Sequence, residues 1–163
     1  MKSRLRILTG LALSFSVFSM QPAKADGNKY QASKLATSAS FKRYSSECAA
    51  CHTAYLPQFL PARSWKSIMG GLSIHYGVDA SVSNEDLLFL SGWLDVNSAR
   101  SGKRSEVPPD NRITESRWFK KEHRKIGPSV FARASIKGPS NCQACHVSAD
   151  KGNFNDDHIQ IPR

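Results

Sequence analysis

The chain has 163 residues, a formal net charge of +10 and four cysteines, with hydrophobic residues at 40% of positions. The basic balance does not point to nucleic acid, because no base-reading motif accompanies it. Beyond the N-terminal segment, no stretch is apolar for long enough to span a bilayer.

Lys2, Arg4 and Arg6 open the chain, residues 7–20 are largely apolar and uncharged, and Ala23-Lys24-Ala25 forms a small-x-small pattern. Residues 1–25 therefore read as a secretory signal peptide cut between Ala25 and Asp26. The competing reading is a retained membrane anchor, but an apolar run of about 14 residues falls short of the roughly 20 a spanning helix needs. Cleavage removes Lys2, Arg4, Arg6 and Lys24, leaving about 138 residues and a charge of about +6. That residual charge keeps the protein soluble and, in the sharper reading, steers it toward acidic partners.

Residues 26–40 read as a polar arm. From Phe41 the pattern turns helical, with Phe41, Tyr44 and Cys48 on one face. The helix leads into Cys48-Ala49-Ala50-Cys51-His52, and the same C-x-x-C-H pattern returns as Cys142-Gln143-Ala144-Cys145-His146. Cysteines about one helical turn apart reach the two vinyl groups along one edge of a haem, and the histidine after them supplies a proximal ligand to the iron. The two copies use every cysteine in the chain. Two disulfides, or one zinc held by four thiolates, are the alternatives for an exported chain. Neither explains a histidine directly after both pairs. The expected cofactors are thus two covalently attached haem c groups.

Residues 53–63 contain Pro57 and Pro61 and read as a loop around the first haem edge. Over residues 64–76 a helix is predicted, with Trp65, Ile68, Met69, Leu72, His75 and Tyr76 on one side and Gly77 as its stop. Gly70-Gly71 inside it is costly, and a close backbone approach to another helix or to the haem is the expected return. The next helix starts at the N-cap Ser83, with Asp86 three residues on and Val82 and Leu87 as a hydrophobic staple. Leu87, Leu88, Leu90, Trp93 and Leu94 give it a broad apolar face, and it should end near Val96.

The hydrophobic period disappears over residues 97–114, which places a linker at 101–116 between a first domain (26–100) and a second (117–163). A short helix is expected at 116–125, and loops with Gly127-Pro128 and Gly138-Pro139 lead to the second haem motif. Domains this small need a staple, and a covalent haem provides a surface on which apolar side chains are buried.

The proximal ligands are His52 and His146. For the opposite face of the first iron, His75 lies on the apolar side of its helix, with Met69 as competitor; a His/Met site would have the higher potential. Met69 serves equally well as core packing. For the second iron, His123 has Phe119 and Ile126 at helical spacing, although it sits in a basic run where a surface histidine would be ordinary. His158 follows Asn155-Asp156-Asp157 in the polar tail and is expected in solvent.

The chain resembles the small periplasmic dihaem cytochromes c over nearly all of its mature length. The resemblance rests on Glu47-Cys48-Ala49-Ala50-Cys51-His52, on Trp65-x-x-Ile68-Met69-x-Gly71-Leu72-x-x-His75-Tyr76-Gly77, on Arg117-Trp118-x-x-x-x-His123 and on Ile159-x-Ile161-Pro162. It implies a mainly α fold: an N-terminal helical domain like a class I cytochrome c and a small, largely irregular C-terminal haem domain. It also implies two bis-histidine haems, with His75 and His123 distal. The implied role is a periplasmic electron carrier between a membrane-bound b-type cytochrome and a soluble haem protein that binds oxygen. Irons closed on both faces would make it a carrier rather than an enzyme. A dihaem enzyme of the peroxidase or nitrogen-oxide-reducing type, or a gas or redox sensor, would need one open distal position, and no further catalytic constellation is visible.

Overall fold

The computed structural model describes Leu35 and residues 38–163, so the expected signal peptide and most of the polar arm lie outside the described residues. The described chain is mainly α: helices α1 (Ala39–Cys48), α2 (Ala62–Gly70), α3 (Asn84–Asn97), α4 (Arg117–Glu122) and α5 (Pro128–Phe131) are joined by 3-10 turns. Among the described residues, β pairing is confined to isolated bridges, Pro61 to Ala99, His75 to Val78 and His146 to Ile159.

Helix α1 begins where the Ser38 hydroxyl accepts from the Phe41 amide at 3.1 Å, a side-chain N-cap. Its expected face is the buried one: Phe41 and Tyr44 enter the core, and the helix ends at Cys48. Tyr44 meets Trp93 at 5.1 Å between ring centres and Trp65 edge-on at 6.4 Å, which joins α1 to α3 and α2.

The loop over residues 53–60 contains one 3-10 turn, Pro57–Phe59, and three aromatic side chains supply further donors to its carbonyls. Tyr44 Oη donates to the Tyr55 carbonyl at 2.9 Å, Trp65 Nε1 to that of Pro57 at 2.7 Å and Trp118 Nε1 to that of Phe59 at 3.2 Å. Each bond satisfies a polar ring atom whose burial would otherwise be costly. One loop is thereby fastened to α1, α2 and α4.

The predicted helix over 64–76 is shorter and shifted. It runs from Ala62 to Gly70 and gives way to a 3-10 turn at Leu72–Ile74. Gly70-Gly71 ends the helix, and a β-carbon at Gly70 would meet no protein atom within 4 Å, so no other helix approaches closely there. The chain then reverses through His75-Tyr76-Gly77-Val78, with the Val78 amide donating to the His75 carbonyl at 3.1 Å. Tyr76 and Gly77 hold φ of +50° and +99°, the pattern of a tight reverse turn. Gly77 is therefore required by this turn and not as a helix stop.

Helix α3 starts as expected: the Asp86 amide donates to the Ser83 hydroxyl, and that hydroxyl donates back to Asp86 Oδ2 at 2.6 Å. Leu90 and Leu94 are fully buried, each worth about 1.5–3 kcal/mol of apolar transfer. The apolar face is narrower than predicted, because Leu88 is 78% exposed. Leu88 stands one residue off the Leu87–Leu90–Leu94 line, and the 3.6-residue period turns it outward.

Residues 101–116 contain 3-10 turns at Gly102–Arg104, Pro109–Asn111 and Ile113–Glu115. Asn111 Nδ2 reaches the Ser67 hydroxyl on α2 at 3.2 Å, and Ile113 is buried. Helix α4 is capped by Ser116, whose hydroxyl accepts from the Phe119 amide. Trp118 and Phe119 belong to the same continuous core as Phe41, Tyr44, Phe59 and Trp65, so buried side chains from both sides of 101–116 pack together. Phe154 from the tail closes this core against Phe59 at 4.8 Å.

Candidate haem sites

Cys48 is the last residue of α1, and the turn that follows carries Cys51 and His52 outward. The His52 Nδ1 lies 2.7 Å from the Thr53 carbonyl. A carbonyl only accepts, so the hydrogen sits on Nδ1 and Nε2 is left with a free lone pair. This is the arrangement of a metal-ligating histidine, whose second nitrogen is held by a backbone carbonyl. Tyr55 stacks on the same imidazole at 4.8 Å with a 17° interplanar angle.

His75 faces His52. Their ring centres are 6.2 Å apart, with planes 25° from parallel. His75 is carried by the 3-10 segment and the reverse turn, and that turn is braced from the other side. Tyr76 Oη donates to the Asp110 carbonyl at 2.9 Å, and the Arg112 guanidinium lies 4.2 Å from the Tyr76 ring centre. Met69, the competing ligand, is instead buried in the core, 6% exposed.

The second motif forms a 3-10 turn, Cys142–Ala144, followed by His146, whose amide donates to the Cys142 carbonyl at 2.8 Å. His123 sits at the C-terminal cap of α4. Its Nδ1 lies 3.0 Å from the Phe119 carbonyl, which again leaves Nε2 free, and the Phe119 ring stacks on it at 4.0 Å. Helix α4 ends at Glu122, so the expected helical spacing from His123 to Ile126 is lost, and Phe131 of α5 lies beside His123 at 6.3 Å. His123 and His146 stand 6.2 Å apart, centre to centre, with planes at 70°. His146 Nδ1 is buried without a hydrogen-bond partner among the described residues. The tail holds this site: Gln160 N–H donates to the Cys145 carbonyl at 3.0 Å, and Arg133 donates to the Pro162 carbonyl at 2.6 Å. His158 is exposed, as expected.

These donor sets fit haem iron. Two imidazoles on opposite faces of one metal, each bonded at about 2 Å, have ring centres about 6 Å apart once roughly 1 Å from nitrogen to ring centre is added per side. Both pairs stand at 6.2 Å, at opposite ends of the sequence and with different interplanar angles. Burial, then His52 and Arg112, hold His75 below the ordinary histidine pKa; burial, then His123, do the same to His146 against an opposing Asp156. Both shifts favour the neutral ring, the form that binds a metal.

The four cysteines are free. Burial, with Glu47 second, pushes the Cys48 thiol up to about 12, and burial pushes Cys142 up to about 11. Among the described residues, no group of three or more His, Cys, Asp or Glu is placed to hold a metal ion by itself, so the four-thiolate zinc site does not form.

A cleft of about 350 Å³ separates the two attachment motifs, with Cys51, His52 and Ala54 on one side and Asn141, Gln143 and Asp150 on the other. Tyr55 reaches across nearby, donating from Oη to the Ser140 carbonyl at 3.0 Å. Sequence reasoning missed Tyr55, because its partners lie on both sides of it and one is 85 residues away. It also missed Arg104, whose guanidinium lies over Trp118 at 4.7 Å and Phe59 at 5.3 Å.

A family model for dihaem cytochrome c matches residues 44–154, a stretch that includes both attachment motifs and both facing histidines. The fold is similar to that of a diheme cytochrome type c from Shewanella baltica OS155, with a TM-score of 0.66 and 29% identity over 76% of this chain and 94% of that one. Two structures of the diheme cytochrome c from Rhodobacter sphaeroides match at 37% and 35% identity, with TM-scores of 0.59 and 0.62. Both cover 69% of this chain, and 96% and 95% of their own. No curated protein matches.

Proposed function

The chain belongs to the dihaem cytochrome c family of electron-transfer haem proteins, and on that footing we propose that it is a periplasmic carrier whose two irons are each closed by two histidines. His52 and His75 hold the first, His146 and His123 the second, and the cysteine pairs Cys48/Cys51 and Cys142/Cys145 provide the thioether attachments. The observation that carries this reading is the common 6.2 Å ring separation of the two histidine pairs. When bound, each haem supplies an iron that cycles between the ferric and ferrous states.

The residues of the chain keep that cycle free of other chemistry. With an imidazole on each face, no position is open to substrate, which separates this reading from a peroxidase, a nitrogen-oxide reductase or a gas sensor. The Thr53 and Phe119 carbonyls hold His52 and His123 in one tautomer and orientation, so little has to reorganise when the charge changes. Two neutral imidazoles place both potentials below that of a His/Met site.

Residues 1–25 direct the chain out of the cytoplasm, and no helix among the described residues is long and apolar enough to cross a membrane. The partners that suit this carrier are a membrane-bound b-type cytochrome as donor and a soluble oxygen-binding haem protein as acceptor. Lys120, Lys121, Arg124 and Lys125 are exposed on either side of His123 and form a basic surface beside the second site. Such a surface attracts an acidic partner in a brief, salt-sensitive complex. The ligand set is tested by His75→Ala and His123→Ala. Each should turn one haem high-spin and leave the other low-spin. Unchanged spectra in either variant would remove that histidine from its site.

A further inference from the structure

Tyr55 is the one described side chain that contacts a residue of the first histidine pair and also reaches the approach to the second attachment motif. Its ring lies against the His52 imidazole at 4.8 Å and 17°. Its phenol O–H donates to the Ser140 carbonyl, two residues before Cys142, at 3.0 Å. Its own carbonyl accepts from the Tyr44 hydroxyl of α1 at 2.9 Å, which fixes its backbone to the core. The Ser140 carbonyl also accepts from the Cys142 amide at 3.0 Å. Ser140 follows Gly138, which has φ of +132°, and precedes the short 3-10 turn that begins at Cys142 and is capped by Cys145.

From this placement we infer that Tyr55 is a positioning residue that ties the two haem sites to each other. One end of the side chain sets the plane of the His52 ring, and the other holds the Ser140–Cys142 approach in register with it. The inference rests on the proposed ligand set, in which His52 binds the first iron. It assigns Tyr55 no redox change: the phenol keeps its proton and its electrons, and the residue acts only through the two groups it touches. A hydrogen bond and a stack on opposite ends of one rigid side chain transmit position with few soft torsions between them.

Two variants of the holoprotein separate the contacts. Tyr55→Phe keeps the ring and removes the phenol; Tyr55→Leu removes both. Two signals are followed: the low-spin ferric resonance of the first haem, which reports the imidazole planes and is identified by its loss in His75→Ala, and amide hydrogen exchange along the chain. Tyr55→Phe should leave the resonance in place and lower protection at residues 140–146 by roughly two- to tenfold, the effect of one lost hydrogen bond, with residues 62–70 unchanged. Tyr55→Leu should lower the same protection and also shift the resonance. A uniform loss of protection along the chain, or a Tyr55→Leu resonance that stays in place, overturns the inference while the ligand set stands. A high-spin ferric iron in the unsubstituted protein would instead overturn the ligand set, and this inference with it.

Discussion

Trp118 is the point at which the core can be tested most sharply. It is 7% exposed, packs against the tilted Phe59 ring at 5.3 Å, and donates from Nε1 to the Phe59 carbonyl at 3.2 Å across 59 residues of sequence. Trp118→Phe keeps most of the ring contact and removes the donor, at a cost of about 1–2 kcal/mol for the bond and the carbonyl left behind. Trp118→Ala removes the ring as well, at about 3–5 kcal/mol for the truncation alone. At this chain length one kcal/mol moves a melting midpoint by about 4 °C, so the expected losses are about 4–8 °C and about 12–20 °C. The assay is thermal unfolding of the oxidised holoprotein, followed by near-ultraviolet and haem-region circular dichroism. Because Trp118 joins α4 to the loop at 53–60, both haem signals should melt together at the lowered midpoint. A Trp118→Phe midpoint within about 1 °C of the unsubstituted protein would refute the hydrogen-bond argument. A Trp118→Ala protein that loses one haem signal early and keeps the other would refute the shared core.

Gly77→Ala forces a side chain into φ of +99° and should cost about 1–2 kcal/mol, measured by denaturant titration, with the His75 site loosened before the His123 site. Ser83→Ala removes the cap of α3 and should cost about 1 kcal/mol in the same titration. The Ser83 hydroxyl, then Arg43, hold the Asp86 carboxyl below its ordinary pKa. A depressed carboxylate contributes stability that is present above its unfolded pKa of about 4 and is lost as the pH falls through its lower folded value. Asp86→Asn should therefore flatten the acid limb of a stability–pH profile below about pH 4 and leave its slope near neutrality unchanged. Arg43→Ala breaks an exposed ion pair with Glu85 at 2.8 Å and a partly buried one with Asp86 at 2.7 Å, and its effect should shrink as salt is added.

Local features were the most legible in the sequence. The face of α1, the Ser83 cap and the attachment motifs depend on neighbours within four residues, where residue type and spacing carry the information. The predicted 64–76 helix failed for a related reason. Trp65, Ile68, Met69, Leu72 and His75 keep a helical period, but Gly70-Gly71 makes continued helix costly, and the Tyr76–Gly77 turn is stabilised by Asp110 and Arg112, more than thirty residues away. Likewise, the absence of hydrophobic period over 97–114 did not reveal that Ile113 and the helix after it enter the same core as α1. Trp118 reaches the 53–60 loop across 59 residues and Tyr55 reaches Ser140 across 85. Tyr44 and Trp65 reach the loop over 11 and 8 residues at no helical or strand spacing, so the sequence pattern does not mark these bonds. The ligand candidates were legible because few histidines were available, whereas their facing distances were not.

The central claim is that His75 and His123 close both irons. Carbon monoxide added to the dithionite-reduced holoprotein at neutral pH tests it directly, since carbon monoxide needs an open position on ferrous iron. The visible spectrum should stay that of a low-spin dihaem protein with no rapid binding phase. Rapid binding of one carbon monoxide per chain would mean that one iron is open and would contradict the account at that site.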